Sequence, residues 1–275
     1  MSFSVNTNAG ALVALQNLSV TQSDLQTTQN RINTGLKVAS AKDNAAIFGI
    51  AQNQRATSSS LNSVISSLQR GQSTVDVALS AGASVSDLLN QMKEKALAAV
   101  DVTLDTTSRA ALNNEFISLK NQITTVTTNA VFNGANLIDT GTTQLQALAN
   151  TTGSSVISVA HQSLSLGGAN VTVAATASIG TTAAASIQIA ALNTSIANVS
   201  SALGKLGTGS KALASHQTFI TNLQNSIDVG IGNLVDADLA KESANLQALQ
   251  TKQQLGIQAL SIANQSSSIL LGLFR

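Results

Sequence analysis

Not one of the 275 residues is proline. At an average usage of about 5%, roughly a dozen would be expected in a chain of this length. Proline ends or kinks helices by removing a donor and clashing with the preceding turn. Its absence lifts the usual limit on helix length, and the apolar pattern uses that freedom. Leu61, Ile65, Leu68, Gln72, Val75, Leu79, Gly82, Ser86, Leu89, Lys93, Ala96 and Val100 step by four and three, which is about five heptads of coiled-coil-like spacing. After a break at DVTLDTTSR, the stepping resumes in a shorter helix through Leu112, Phe116, Leu119, Ile123, Val126 and Ala130.

Both ends of the chain read as helices too. Leu18, Leu25 and Ile32 are seven apart, with Leu15 and Leu36 on the flank of the same stripe. Gly35 offers a stop, and Ser40 to Asp43 (SAKD) resembles a capping box for the helix that follows. Further on, Ile189, Leu192, Ile196, Val199, Leu203 and Leu206 lead into Leu213, Ile220, Leu223 and Ile227, and Gly230 with Gly232 reads as a joint. The last helix is expected to begin near Asp236, with Asp238 and Glu242 where the helix dipole favours acids. Leu239, Leu246, Leu249, Leu260, Ala263, Leu270 and Phe274 share one stripe, while Leu255, Ile257, Ile262, Ile269 and Leu273 point elsewhere. A helix that is apolar on several sides needs burial on several sides, and one partner helix cannot supply that.

Between these helical regions the chemistry changes. Asn133-Gly134 and Asp139 to Gly141 are turn signals, and Thr140 to Gly204 holds no Asp, Glu, Lys or Arg. Within it VISV, SLSLGG and NVTVAA alternate as short strands would. The expected fold is therefore mainly α: long antiparallel helices in a coiled-coil-like bundle, N- and C-terminal helices paired, and a small β-rich or irregular insert in the middle.

Several function classes fall away. A formal charge of +1, with 10% charged residues and 2% aromatics, lacks the basic footprint and stacking platforms of nucleic-acid binding. No cysteine is present, so thiol and disulfide chemistry are out. The first cationic side chain is Arg31, which does not fit a Sec-type signal peptide. The uncharged run from Leu255 to Phe274 carries Gln258, Asn264, Gln265 and four serines, too polar for a membrane span. No catalytic, cofactor or metal set emerges. His161 and His216 lie in unrelated surroundings, and no HExxH occurs. Asp236, Asp238 and Glu242 read as helix-start acids, and Gly204 to Lys211 (GKLGTGSK) has the wrong order for a phosphate loop.

Two segments carry a family resemblance. RINTGLKVASAKDNAAIFGIAQNQRA, Arg31 to Ala56, resembles the N-terminal signature of bacterial flagellins. NLVDADLAKESANLQALQTKQQLGIQALSIANQSSSILLGLFR, Asn233 to Arg275, resembles their C-terminal signature, and FNGANLID fits the same family. The likeness is strongest to the short alphaproteobacterial members. It implies a structural subunit that polymerises into an extracellular filament for swimming, with no enzymatic activity and no cofactor.

The resemblance also implies a layout. Residues 1–140 would hold an inner-tube helix (1–35) and outer-tube helices (41–130). Residues 141–187 would be a variable surface insert. Residues 188–275 would return as an outer-tube helix (188–230) and an inner-tube helix (235–275). Implied partners are other copies of the chain, filament cap and hook-junction proteins, an export chaperone and the flagellar type III export apparatus, with no nucleic acid and no membrane. The self-assembly residues expected on this reading are Leu18, Leu25, Ile32, Leu246, Leu249, Leu255, Leu260, Ile262, Leu270 and Phe274. The alternatives are the hook–filament junction protein of the same superfamily, which usually departs from the Arg31–Ala56 signature, and a membrane-active translocator, whose long apolar hairpin is missing.

Overall fold

The computed structural model describes residues 7–141 and 144–272, the last seven of these in backbone only. Five helices and one two-stranded sheet follow in the order α1 (Ala9–Thr34), α2 (Ala45–Ala99), α3 (Thr106–Asn129), β1 (Leu145–Leu148), β2 (Val156–Val159), α4 (Thr182–Val235) and α5 (Leu239–Gly272). The chain divides into two compact units, 1–56 with 226–275, and 57–225.

In the first unit, Asn8 caps α1 by accepting from Ala11 N at 3.0 Å, and Gly35 ends it in the left-handed conformation at φ 70°. The stop expected at Gly35 is met, because only glycine enters that region without penalty. Capping of α2 departs from expectation. Asp43 accepts from Ala39 N and Ser40 N, making a turn, and Asn44 caps the helix by accepting from Ile47 N at 3.1 Å. The joint read at Gly230 and Gly232 is also corrected, since α4 runs unbroken to Val235. Burial of Ile231 and Val235 beside Val38 and Ala51 outweighs the roughly 1 kcal/mol that glycine costs in a helix. The turn comes at Asp236–Asp238, where Asp238 caps α5 by accepting from Ala240 N and Lys241 N.

In the second unit, α2 buries Leu61, Val64, Leu68, Gly71, Val75, Ala78, Gly82, Val85, Leu89, Met92, Ala96 and Ala99, a series that steps by three and four, with Ser58, Thr74 and Leu88 buried beside it. Every other expected position is met, but the partners at Ile65, Gln72, Leu79, Ser86, Lys93 and Val100 lie one residue too far along and are only half-buried. The face rotates toward the small side chains because neighbours come close there. A Cβ on Gly71 would meet Ala147 at 3.3 Å and Leu213 at 3.5 Å. Phe116, Leu119 and Ile123 of α3 and Leu192, Val199, Leu206 and Leu213 of α4 complete this core.

The middle segment is sewn to the helices. β1 pairs antiparallel with β2, Leu145 opposite Val159 and Leu148 opposite Val156. VISV is thus a strand as expected, and its partner LQAL lacked a clear alternation. SLSLGG and NVTVAA form no strands; a single parallel bridge joins Leu166 and Val171. Leu164 N donates to Ile138 O and Gly167 N to Val173 O, both at 2.8 Å, and helix side chains tie down further backbone groups of the middle segment. Ser195 Oγ accepts from Thr172 N at 2.9 Å, Asn113 Oδ1 accepts from Ile179 N at 2.7 Å, and Lys120 Nζ donates to Ala177 O at 3.0 Å. Lys120 is buried, and desolvation pushes its amine below the usual lysine value. Leu164, Val171, Val173 and Ile179 are fully buried beneath these ties.

Two glycines in α4 should respond oppositely to alanine. A Cβ on Gly209 would lie 2.7 and 2.9 Å from the two methyls of Val159, whereas Gly204 has nothing within 4 Å. Val159 is β-branched and buried, so rotating one methyl away brings the other in. Overpacking of about 1–3 kcal/mol then exceeds the gain of about 1 kcal/mol in helix propensity. Thermal unfolding should show Gly209→Ala less stable and Gly204→Ala more stable than the parent; stabilisation by Gly209→Ala would contradict the packing described.

Asp101 and Asp105 bracket the turn between α2 and α3. Hydrogen bonds from Thr103 and Ser108, first through the backbone N–H and then the hydroxyl, hold both carboxyls below their ordinary value. Arg109 ties the same turn, donating to the carbonyls of Ala99, Asp101 and Leu104. Because the folded values are depressed, this stabilisation is complete above about pH 4 and is lost as the pH falls through the lowered values. Asp101→Asn with Asp105→Asn should therefore reduce stability at neutral pH and flatten its decline in acid. An unchanged acid limb in denaturant titrations would contradict this.

Candidate assembly surface

The two terminal helices pack against each other in the first unit. Asn8 Nδ2 donates to Ala263 O at 2.7 Å, a Cβ on Gly256 would meet Leu18 Cδ1 at 3.3 Å, and Arg31 Nη1 donates to Glu242 Oε1 at 3.2 Å. These three contacts run in opposite chain directions, so the pair is antiparallel. The least exposed residues of α1 are Ala11, Ala14, Leu18, Thr21, Leu25, Thr28 and Ile32; those of α5 are Glu242, Leu246, Leu249, Gln253, Gly256, Leu260 and Ala263. Both series alternate three and four, the spacing of a coiled-coil seam.

This seam is unusually polar for its length. Thr21 and Thr28 are buried, and Thr21 satisfies its hydroxyl by donating to Asn17 O at 2.8 Å. Glu242 is 8% exposed. It sits in the first turn of α5, as expected of an acid serving the helix dipole, and it also reaches across the pair to Arg31. One oxygen of that carboxylate, Oε2, and Nε of Arg31 are buried without a partner among the described residues.

The large apolar side chains that miss the seam lie on two flanks. Val13 and Val20 of α1 follow the seven-residue spacing that leads to Thr27. Leu255 and Ile262 of α5 follow the one that starts at Ala248. Thr27 and Ala248 line one cleft, of about 410 Å³, so these two series share one side of the pair. In the register fixed above, Val20 lies level with Leu255, and Val13 with Ile262. At 100° per residue, Leu12 and Leu15 of α1 and Ile257 of α5 fall on the opposite flank. All seven are between 52% and 69% exposed.

The expected assembly residues thus divide into groups. Leu18, Leu25, Ile32, Leu246, Leu249 and Leu260 belong to the seam between α1 and α5. Leu255 and Ile262 point outward on one flank. The side chain of Leu270 and all of Phe274 lie outside the described residues. Leu239, read on the seam stripe, is half exposed, because the seam has turned past it at that end of α5. Val13 and Val20 were missed, although their spacing of seven was present. Arg31 as a partner of Glu242 had no signal in the sequence.

Other candidate chemistry is accounted for by the fold. Gly204 to Lys211 lies inside α4, and His161 Nε2 is bonded to Asp139 Oδ1 at 3.1 Å. Among the described residues no helix is long and apolar enough to cross a membrane, and no cluster of three His, Cys, Asp or Glu could hold a metal.

Leu25, at 9% exposed, is the most deeply seated large apolar side chain of the described seam. Leu25→Ala should cost about 2–5 kcal/mol of α1/α5 pairing, read as faster hydrogen exchange in both helices. If exchange rises in neither helix, the pair is held elsewhere.

Two family models match this chain. The bacterial flagellin N-terminal helical region covers residues 5–143, and the bacterial flagellin C-terminal helical region covers residues 189–274. Flagellin FljM of Caulobacter vibrioides is 57% identical over 272 residues, spanning 99% of this chain and 98% of its own length. Flagellin FljK of the same organism is likewise 57% identical over 272 residues, with the same coverage. A flagellin of Brucella melitensis is 36% identical over 291 residues, covering 99% of each chain.

Proposed function

The chain belongs to the bacterial flagellin family, and on that premise we propose how it builds a filament. It is a structural filament subunit, and the α1/α5 pair is its principal joint between copies. The observation that carries this is the placement of exposed Val13, Val20, Leu255 and Ile262 on one flank, and Leu12, Leu15 and Ile257 on the other. A pair with apolar side chains on both sides needs a neighbour on each, as in a closed ring or helical tube. Burying one such side chain contributes roughly 1.5–3 kcal/mol.

The remainder of the reading follows the family. The filament is extracellular and serves swimming. Its copies arrive through the flagellar type III export apparatus with an export chaperone and add beneath a cap protein, above hook-junction proteins. On this reading the inner-tube helices are 1–35 and 235–275, the outer-tube helices 41–130 and 188–230, and the insert 141–187. The subunit works by shape and adhesion, so no catalytic group is assigned. The match through the Arg31–Ala56 signature supports flagellin over the junction protein.

Seeded polymerisation of purified protein, viewed by electron microscopy, tests the reading: long tubes are expected. Leu255→Ala and Ile262→Ala each remove an exposed side chain, so subunit unfolding should shift by less than about 0.5 kcal/mol. Each should nonetheless raise the critical concentration for polymerisation about tenfold or more. Persistent monomers from the parent chain under all seeding conditions would refute the filament reading. Normal polymerisation of both variants would refute the assigned joint.

A further inference from the structure

One turn of the second unit pairs a labile dipeptide with a backbone that restrains it. Asn133 is the only asparagine in the chain followed by glycine. Asparagine is a thermolabile residue, and glycine puts no side chain in the way of the next backbone nitrogen. Phe132 and Ala135 bridge across the pair, Phe132 N donating to Ala135 O at 2.9 Å and Ala135 N to Phe132 O at 3.0 Å. Asn133 and Gly134 both have positive φ, 49° and 80°, which makes a type I′ turn. Both are exposed, and a Cβ on Gly134 would meet nothing within 4 Å. Water and space are therefore at hand.

The turn nevertheless holds the reacting atoms apart. Cyclisation needs Gly134 N to eclipse Cβ of Asn133, because only then does it reach Cγ. The first central residue of a type I′ turn has ψ of about +30°, which leaves that nitrogen nearly anti to Cβ. Bringing it round takes a rotation of about 150° and breaks both hydrogen bonds of the bridge. The following residues resist that rotation. Asn136 Nδ2 donates to Thr127 O at 2.7 Å, and Asn136 Oδ1 accepts from Ile138 N at 2.9 Å. Leu137 and Ile138 are fully buried, and their carbonyls accept from Gln162 N and Leu164 N, both at 2.8 Å.

We propose that Asn133 is a deamidation site gated by the fold: it reacts while residues 131–138 are open and is protected once Leu137 and Ile138 are seated. In the open chain Gly134 N attacks Asn133 Cγ, and its proton leaves with the amide nitrogen as ammonia. Water then opens the cyclic imide at either carbonyl. One product is aspartate, which suits the same turn. The other is isoaspartate, which carries the main chain through the former side chain and lengthens it by one methylene. The bridge between Phe132 and Ala135 is spaced for a two-residue turn, so the extra backbone atom breaks it and loosens the seat of Leu137. The pair thus records the time a chain spends with this segment open, independently of the filament reading.

The full chain tests this without a partner. It is incubated at one mildly alkaline pH, in buffer and in guanidinium chloride, then digested, and the peptide holding Asn133 is weighed. In denaturant that peptide should become about 1 Da heavier and separate into two chromatographic forms, aspartate and isoaspartate. In buffer the same conversion should be at least about tenfold slower, because only opened chains react. Asn136→Ala removes the ties to Thr127 and Ile138 and should raise the rate in buffer about tenfold. Absence of conversion at Asn133 in denaturant would overturn the site. Equal rates with and without denaturant, or an Asn136→Ala rate in buffer equal to the parent's, would overturn the gate. Should Asn136→Ala fail to fold, the ratio of the parent's two rates decides alone.

Discussion

The register of the two terminal helices depends on a small backbone clasp at their root. Val235 O accepts from Lys37 N at 2.7 Å and from Val38 N at 3.3 Å, and Gly35 O accepts from Ala237 N at 2.8 Å. Leu36 and Asp236 form the bridge between these bonds. Val38, Ala51, Ile231 and Val235 are buried beside it, with Phe48 and Ile227 packed around them. The left-handed turn at Gly35 and the cap at Asp238 then launch α1 and α5 from adjacent points. A helix has one rise per residue, so fixing the root fixes every rung above it. The levels of Val20 with Leu255 and of Val13 with Ile262 follow from that clasp.

What the clasp aligns is a divided set of apolar side chains. Leu18, Leu25, Ile32, Leu246, Leu249 and Leu260 share the seam with Thr21, Thr28, Gln253, Gly256 and an ion pair, while seven further valines, leucines and isoleucines stand exposed on the flanks. A pair meant to be stable alone would bring those seven inside. The same arrangement bears on why α5 is apolar on several sides: one side packs on α1, and the proposed filament gives the two others to neighbouring copies.

The second unit follows a different economy. Its middle segment carries no Asp, Glu, Lys or Arg beyond Asp139 until Lys205, and residues 141–187 of it were expected as a variable surface insert. Much of it instead covers core. Leu164, Val171, Val173 and Ile179 are fully buried, and a charge among them would need its own partner. The buried charge beneath this segment, Lys120, comes from α3 and is held by Ala177 O. Strand alternation in NVTV was real, since Val171 and Val173 do face inward. A strand also needs a neighbouring edge, and Ser195 supplies the hydrogen bond instead.

By itself the sequence determined the long helices, the stop at Gly35, the heptad period of α2 and the pairing of the two ends, the last through a family signature. The first three are legible because they depend on neighbours a few residues apart. Tertiary structure decided the rest. Heptad spacing fixed Leu61, Leu68, Val75, Gly82, Leu89 and Ala96, but only the close approach of Ala147 and Leu213 turned the second column to Gly71 and its equivalents. Gln72, Ser86 and Lys93 at the competing positions were the available warning. Packing of Ile231 and Val235 carried α4 through two glycines that local propensity marks as a break. Glu242 found Arg31 across 211 positions of sequence, a partner that no local pattern encodes. Periodicity states which face of a helix is covered; which neighbour covers it, and how closely, is settled only when the chain has folded back on itself.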